Sequence, residues 1–555
     1  MDRRATLSSF FGLRSESESQ SYAPAPRPIN AGLEPFSGTW TKEHAAHLLR
    51  RTMYGPTFAQ INLSADAGLQ ASLDQLLTNP GNPAAPLNLI NEEDPNVPIG
   101  QTWVDAPYVW NVDVLDYRNR SLRAWFMDNT LTQEGSIFQK MVLFWHNHFV
   151  VSDVDDPKYA YQYLTVIGNN ALGNFKQFVK DITINPAMLR YLNGNQNRNI
   201  APNENYAREL LELFTIGKGP LIGPGDYTNY TEEDISEIAK VLTGWVDRGF
   251  FTQDANQAVE SDFLSFWHDT STKTLTSKFN NAVITNNGEQ EYADLIDIIF
   301  EQDEVSRFIC RKLYRYFVYY LIDDTVEQNV IEPMAQIMRD NDYDIVPALR
   351  ALLESEHFFD ELNRGVMIKN PIDFINGAMK SLEMDIATDP VQRYSFMLQY
   401  SWMLGPLQMT PFFMPSVAGW PAYYQEPAYY RIWINSVTLP YRQNITDAIA
   451  WAGFDVAGHF NAINPLELIA TLSDPYDPNT LIEDLALVLF PNGVTPAQVD
   501  FLKTALIFGL PDFEWTTEYA NYIANPDDAN LENSVTVKVR NLIRTMLYLS
   551  EFYLS

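Results

Sequence analysis

Two histidines in one apolar segment are the first residues of this sequence whose types and spacing suggest chemistry. The segment Lys140-Met-Val-Leu-Phe-Trp-His146-Asn-His148-Phe149 is apolar around its whole circumference, which is typical of a buried helix. A buried imidazole must be hydrogen-bonded or bound to a metal. Residues two apart on a straight helix point about 200° away from each other, so both histidines could bind one metal only if the helix ended near Trp145. Two hydrogen-bonded core histidines are the alternative.

A pair of carboxylates beside an arginine forms the second candidate group, within residues 202–217. Glu209 and Glu212 lie on one face of the predicted helix, with Arg208 next to them. Paired carboxylates on an inward helix face can bind a metal or act as an acid and base. An ordinary solvated helix face has the same pattern, and Arg208 could be only its ion-pair partner.

The dipeptide His268-Asp269 is a third, weaker candidate, because a histidine beside a carboxylate can be a metal ligand or a base with its orienting group. These groups together suggest a metal-dependent hydrolase. In this hypothesis His148, Glu212 and His268 bind zinc, iron or manganese. The catalytic residues are Glu209 as general base, Arg208 as the anchor of an anionic substrate group, and His146.

Two other functions remain open from the same residues. Aromatic residues make up 13% of the chain, with 12 Trp, and would suit stacking on sugars in a metal-free polysaccharide lyase or hydrolase. The chain could instead be a non-catalytic binding or assembly protein whose His and Glu residues form core networks. The loop Gly405 to Arg431 would then be the surface for a protein partner, since it contains Tyr423, Tyr424, Tyr429 and Tyr430.

The elements that must position these residues are predicted to be helices. Apolar side chains recur at helical spacing through most of the chain, and alternating strand-like runs are few. Asn203 is a predicted N-cap and Gly217 a predicted C-terminal stop of one helix, and Thr231 to Asp234 form a capping box before another. The class is therefore mainly α, with few or no strands and with long proline-rich loops.

Composition excludes several classes of protein. The 555 residues include 38 Lys+Arg and 70 Asp+Glu, a net charge of −32, which argues against nucleic acid and anionic membranes as partners and predicts an acidic, soluble protein. No run of 18 apolar residues exists, so we expect no membrane span. Cys310 is the one cysteine, which excludes an intramolecular disulfide. Phosphate-loop, nucleophile-elbow and His-Glu-x-x-His motifs are absent.

The N-terminal 35 residues are rich in Ser, Pro, Ala and Glu and are predicted to be a flexible leader. Arg3-Arg4 is followed by a short apolar run that serines interrupt. A cytoplasmic location is therefore favoured over export through a degenerate twin-arginine signal.

Several segments resemble those of the bacterial family known as domain of unknown function 1800. The most specific is Asn203-Glu-Asn-Tyr-Ala-Arg-Glu-Leu210, and Phe144-Trp-His-Asn-His-Phe149 is another. The matching stretches are residues 47–56, 140–149, 185–189, 201–217, 230–245, 268–269, 415–420 and 433–435. The resemblance implies no established activity, but it implies that the three candidate groups belong to one pattern. It also implies one large helical domain over residues 36–555, although length alone predicts two to four domains or one large one. Many relatives begin with a clear export signal, and this chain's weak leader differs from theirs.

Overall fold

The computed structural model describes residues 29–109, 113–132, 135–223 and 226–555. Over these residues the structure is mainly α-helical, so the predicted fold class is confirmed. Most of the predicted leader, with the Arg3-Arg4 pair of the export-signal hypothesis, lies outside the described residues. The described end of that leader packs on the rest of the chain: Ile29 is buried and Glu356 donates its backbone N–H to Glu34 O.

The helices follow one another from Lys42 to Tyr548. The first eleven α-helices are α1 (Lys42–Thr52), α2 (Phe58–Ala67), α3 (Leu69–Leu76), α4 (Val114–Thr132), α5 (Phe138–His148), α6 (Pro157–Asn170), α7 (Phe175–Thr183), α8 (Pro186–Tyr191), α9 (Glu204–Glu209), α10 (Glu232–Val241) and α11 (Glu291–Ile299). The next seven are α12 (Asp303–Phe317), α13 (Asp324–Val326), α14 (Glu332–Asp340), α15 (Ile345–Leu353), α16 (Glu356–Phe359), α17 (Pro371–Ser381) and α18 (Pro390–Met403). The last six are α19 (Thr438–Asp447), α20 (Pro465–Ala470), α21 (Pro478–Leu489), α22 (Pro496–Ile507), α23 (Asp512–Ala524) and α24 (Ala529–Tyr548).

Shorter helical turns join these helices. Three are π-helical, at Leu210–Thr215, Glu327–Ile331 and Ala448–Ala452. The 3₁₀ turns are Gly194–Gln196, Ser265–Trp267, Ser277–Phe279, Gly288–Gln290, Glu361–Asn363, Pro421–Tyr423, Tyr429–Trp433 and Ser550–Tyr553.

Strands are few and short, as the sequence predicts. They pair as the antiparallel ribbons β1 (Leu221–Gly223) with β2 (Asp226–Tyr227), β3 (Trp245–Arg248) with β4 (Glu260–Phe263), β5 (Lys273–Thr274) with β6 (Val283–Ile284), and β7 (Phe454–Val456) with β8 (His459–Asn461). None exceeds four residues among those described, so the ribbons extend loops rather than build a sheet layer.

Side-chain caps explain where several helices begin. Asn203 accepts a hydrogen bond from the N–H of Asn205 at the start of α9, and the predicted capping box of Thr231 with Asp234 is present before α10. Gly217 ends the helical segment with a φ of +68°, a conformation that glycine adopts at little cost. The start of α17 is determined in the same way, because Asn370 caps it and Pro371 occupies its first position.

Buried apolar side chains from Ala45 to Tyr553 form one continuous cluster. The ends of α1, α5, α12 and α17 meet beside this cluster, and the loop around Tyr423 and Tyr429 covers them. Across the described residues, no helix has the length and apolar character needed to cross a membrane.

Candidate functional site

His146 lies fully buried in α5, which continues to His148. Its Nδ1 donates to Tyr163 Oη at 3.0 Å, because that hydroxyl donates its own proton to Phe149 O. The backbone N–H of Phe412 donates to Nε2 at 3.3 Å. Burial lowers the pKa of His146 to about 3, so the ring is neutral. Both ring nitrogens therefore hold the loop at Phe412 and α6 against α5.

His148 points to a different part of the core. Its Nε2 donates to Phe214 O at 3.1 Å, a carbonyl in the last turn of the π-helical segment, where helix carbonyls lack partners within the helix. Its Nδ1 lies 3.1 Å from Lys312 Nζ, which also donates to Leu213 O. Burial, followed by repulsion from Lys312, lowers the pKa of His148 well below its usual value. Since α5 does not end near Trp145, the two histidines do not face one metal.

His268 belongs to a third, separate buried cluster. Its Nδ1 lies 2.9 Å from Thr243 O, and its Nε2 lies 3.0 Å from Glu291 Oε2. The other oxygen of Glu291 accepts from the ammonium of Lys273, and all three charged or titratable side chains are buried. This ion cluster joins β5 to the start of α11 and therefore has a structural role.

Arg208 is held by carboxylates of its own neighbourhood. Its guanidinium makes a two-pronged ion pair with Glu232, at 2.8 and 2.7 Å, and a longer contact with Glu204. Glu212 accepts from Tyr230 Oη at 3.2 Å, and Lys218 Nζ lies 3.8 Å from it. Arg208 is thus already paired on the α9–α10 surface.

Glu209, the predicted general base, has a carboxyl group with a perturbed pKa. Partial burial, with added repulsion from Glu212, raises the pKa of Glu209 above its usual value. The structure therefore brings Glu209 and Glu212 into electrostatic contact, as the helical spacing predicts.

The predicted ligands His148, Glu212 and His268 each bond to different partners, and they share no contact. Within the described ranges, no group of three or more His, Cys, Asp or Glu side chains could hold a metal ion. The metal-site assignment remains a prediction to which the geometry adds no support.

A different cluster of charges surrounds a narrow cavity of about 30 Å³. We call it the cation cavity. Its charged side chains are those of Arg50, Arg51, Lys140, Arg315, Lys369 and one carboxylate, Asp373, and the last residue of the sequence, Ser555, also lines it. Its aromatic wall consists of Tyr316, Tyr320, Tyr423, Tyr429, Tyr430 and Trp433. A smaller cavity of about 10 Å³ adjoins it and shares Arg50, Lys369 and Asp373.

The cations of this cavity are buried to an unusual degree. Arg50, Arg51, Lys140 and Lys369 are each at most 6% exposed. Lys140 forms an ion pair with Asp373, which also accepts from Asn370 Nδ2 at 2.7 Å. In the part of the chain that the structure describes, Arg50 and Lys369 have no carboxylate oxygen within 4 Å, and their hydrogen-bond acceptors are backbone carbonyls.

The lowered pKa values of these cations show that burial of their positive charges is unfavourable. Burial, and secondarily Arg364, lowers the pKa of Arg50 to about 10. Burial, and then the nearby Arg50, lowers the pKa of Lys369 well below its usual value. Arg442 lies behind Lys369, donates to Lys369 O at 2.9 Å, and is fully buried. Each of these shifts reports a positive charge that is costly where it stands.

Arg50 also offers an unused donor. Its Nη2 donates to Leu487 O at 2.8 Å, whereas its Nη1 is buried without a hydrogen-bond partner among the described residues. A buried donor left unpaired costs about 1–3 kcal/mol, and more when the group is charged. An oxygen atom of a bound anion would satisfy it.

The sequence contains signals for part of this site. Arg50, Arg51 and Lys140 lie in the stretches that carry the family resemblance, and Tyr423, Tyr429 and Tyr430 lie in the loop predicted as a partner surface. Lys369 and Asp373 were missed. The segment Lys369-Asn-Pro371 could have indicated them, because an N-cap followed by proline marks a helix start beside a lysine.

Comparison with protein families decides the chain's classification. The model of a family described as "Protein of unknown function (DUF1800)" matches residues 47–524. The chain belongs to this family. The match confirms the resemblance and includes every charged residue of the cation cavity. Comparison with curated proteins found no match, and comparison with solved structures found none either. Family membership therefore names no reaction or ligand.

Proposed function

We propose that this family member binds a small anionic ligand, carrying a phosphate or carboxylate group, in the cation cavity. The observation that supports this is the excess of buried cations. Lys140 is neutralised by Asp373, but Arg50 and Lys369 face the same cavity with no carboxylate oxygen within 4 Å of either among the described residues. A chain with a net charge of −32 has acidic side chains in excess, yet the described residues that line the cavity include one acidic side chain.

A charge that is buried without a counter-ion destabilises the folded protein. The effective penalty is several kcal/mol per ion, even after relaxation of the protein. A protein that keeps two such cations beside one cavity gains stability when an anion enters. Charge-assisted hydrogen bonds from arginine and lysine to phosphate or carboxylate are about twice as strong as neutral ones.

The aromatic wall shields the charged groups of the cavity from water. Tyr423 Oη accepts from Asn370 Nδ2 at 3.3 Å, and Tyr316 donates to Lys140 O at 3.2 Å, so these hydroxyls are fixed by the framework. The rings exclude water from the charged groups, which strengthens each electrostatic contact. The loop predicted as a partner surface thus serves, in this proposal, as the wall of a small-molecule site.

Equilibrium dialysis against radiolabelled inorganic phosphate tests the proposal. We expect about one phosphate per chain, with an affinity that falls at least about tenfold in Arg50→Met and in Lys369→Met, since each loses about 1.4 kcal/mol or more. Lys369→Arg keeps the charge and should keep the affinity. Lys538→Met is the control, because Lys538 pairs with Glu518 and does not line the cavity. Binding that is absent, or equal in all four variants, would refute the proposal.

The metal-dependent hydrolase is a separate hypothesis, and one observation favours it. Glu209 has a raised pKa beside Glu212, which suits a general base. Metal analysis of the purified protein, with His148→Ala and Glu212→Ala, tests the ligand assignment. Bound metal at one ion per chain that both variants lose would establish the ligands, and full stoichiometry in both variants would exclude them.

A further inference from the structure

We infer that Lys369 is a nucleophilic amine that forms an imine with a small anionic carbonyl compound, such as a 2-oxo acid, held in the cation cavity. The inference deepens the proposed function and rests on it, because the cations must first bind the carboxylate or phosphate of that compound. With phosphate bound, the anion favours the protonated form of Lys369, and the side chain is a cation. In the imine reaction Arg50 holds the anionic end of the ligand, and Lys369 acts as the neutral amine.

The two buried lysines of the cavity differ in what surrounds the amine. The ammonium of Lys140 donates to the carboxylate of Asp373, which holds its proton in place. Lys369 Nζ donates to Phe552 O at 2.7 Å and lies 4.2 Å from the centroid of the Phe552 ring. A neutral amine can make the same hydrogen bond to a carbonyl and still keep its lone pair.

The charged groups that face Lys369 favour the neutral amine. Burial has the largest effect on its pKa, and Arg50, Arg442 and Lys140 repel the protonated form. Asp373 opposes them, but it is already engaged by Lys140. Desolvation beside other cations is a known way to make a lysine nucleophilic near neutral pH.

The position of the amine suits a reaction with a bound anion. Lys369 lines both the cation cavity and its smaller neighbour, and Arg50 lines the same two spaces. The backbone of Lys369 is fixed on both sides, since its N–H donates to Tyr553 O at 2.9 Å and Arg442 donates to its carbonyl. A ligand whose anionic end bonds to Arg50 therefore places its carbonyl group beside a rigidly held lysine.

The chemistry balances without an oxidant or reductant. The Nζ lone pair attacks the carbonyl carbon, the electron pair of the C=O bond moves to oxygen, and a proton transfers from nitrogen to that oxygen. The carbinolamine then expels its hydroxyl group with one further proton as water, and the C=N bond of a protonated imine forms. One carbonyl compound, one amine and one proton thus give one iminium ion and one water molecule.

Reductive trapping on the wild-type protein tests the inference. Glyoxylate, the smallest 2-oxo acid, is added with sodium cyanoborohydride, which reduces an imine to a stable carboxymethyl-lysine, and peptide masses identify the modified residues. We expect Lys369 to react at least about tenfold faster than Lys140, its matched neighbour in the same cavity. Excess inorganic phosphate should slow the reaction at Lys369. Acetaldehyde, which is neutral, should react there more slowly than glyoxylate.

The variants separate this inference from the proposed function. Lys369→Arg should lose the adduct, whereas Lys538→Arg, which changes a lysine outside the cavity, should keep both phosphate binding and the adduct at Lys369. If phosphate binds to the wild type but Lys369 reacts no faster than Lys140, the amine is not nucleophilic and the inference fails alone. If phosphate does not bind and the adduct does not form, both fail. The mass map of the wild type gives the first answer even if a variant does not fold.

Discussion

Replacing Asp373 by asparagine removes the single carboxylate side chain of the cation cavity and leaves Lys140 without its counter-ion. A matched pair exists elsewhere in the chain, because Glu518 accepts from Lys538 and from Ser534 just as Asp373 accepts from Lys140 and Asn370. The two carboxylates are also equally exposed, at 20% for Asp373 and 19% for Glu518. Glu518→Gln therefore controls for the loss of an ordinary ion pair.

The magnitude follows from the burial of the lysine that remains. Breaking a buried pair costs about 3–5 kcal/mol when one charge is left behind. Lys140 is 5% exposed and Asp373 is one-fifth exposed, so we expect about 3 kcal/mol for Asp373→Asn. Lys538 is 16% exposed, so Glu518→Gln should cost about 1 kcal/mol, as a less buried pair does.

Inorganic phosphate should recover most of the loss in Asp373→Asn. Without the competing carboxylate the cavity attracts an anion more strongly, and a ligand at 100 times its dissociation constant stabilises the folded state by about 2.7 kcal/mol. Urea unfolding followed by tryptophan fluorescence, in phosphate and in chloride at equal ionic strength, measures the difference. The reasoning is refuted if phosphate raises the stability of the Asp373 and Glu518 variants by the same amount.

Three further predictions concern other parts of the structure. Burial lowers the pKa of Lys312 to about 7 in the folded state, so its positive charge destabilises the fold below that pH and this penalty is relieved as pH rises toward the usual lysine value. The stability of the wild type relative to Lys312→Met should thus rise between about pH 7 and 10, by at most about 1.4 kcal/mol per pH unit, and parallel pH curves for the two proteins would contradict this. His146→Leu leaves the Phe412 N–H and the Tyr163 hydroxyl without their imidazole partner. We therefore expect the free energy of unfolding in urea to fall by about 2–4 kcal/mol, with no change in metal content. A loss of bound metal would show that the structural role of His146 is wrong. Gly419→Ala places a Cβ 2.3 Å from Asn147 Oδ1 at a φ of +89°. It should lower the free energy of unfolding by about 1–3 kcal/mol and weaken phosphate binding, because the loop is displaced. Unchanged stability would mean that the loop moves without cost.

The local structure around residues 202–217 and 231–241 could be predicted from the sequence because caps and stops act within a few residues. Asn203, Gly217 and the Thr231 capping box stand where the pattern places them. The burial of His146 and His148 also follows from the apolar helix around them.

The cation cavity could not be predicted in the same way. Its charged groups come from residues 50, 140 and 369, which are far apart in the chain, and helical periodicity does not say which helix ends meet. The candidate histidines show the converse problem. Residues that are close in sequence, such as His146 and His148, turn to different partners because two helical positions separate them by more than half a turn.

The most direct test of the cation cavity is to locate a bound anion in it. Crystals of the full chain, grown without phosphate or sulfate and soaked in selenate, give an anomalous signal from selenium at each occupied site. We expect a strong peak in the cavity, positioned so that one selenate oxygen lies within hydrogen-bonding distance of Arg50 Nη1 and another lies close to Lys369 Nζ. A cavity that contains only water, in crystals whose surface sites are occupied by selenate, would contradict it.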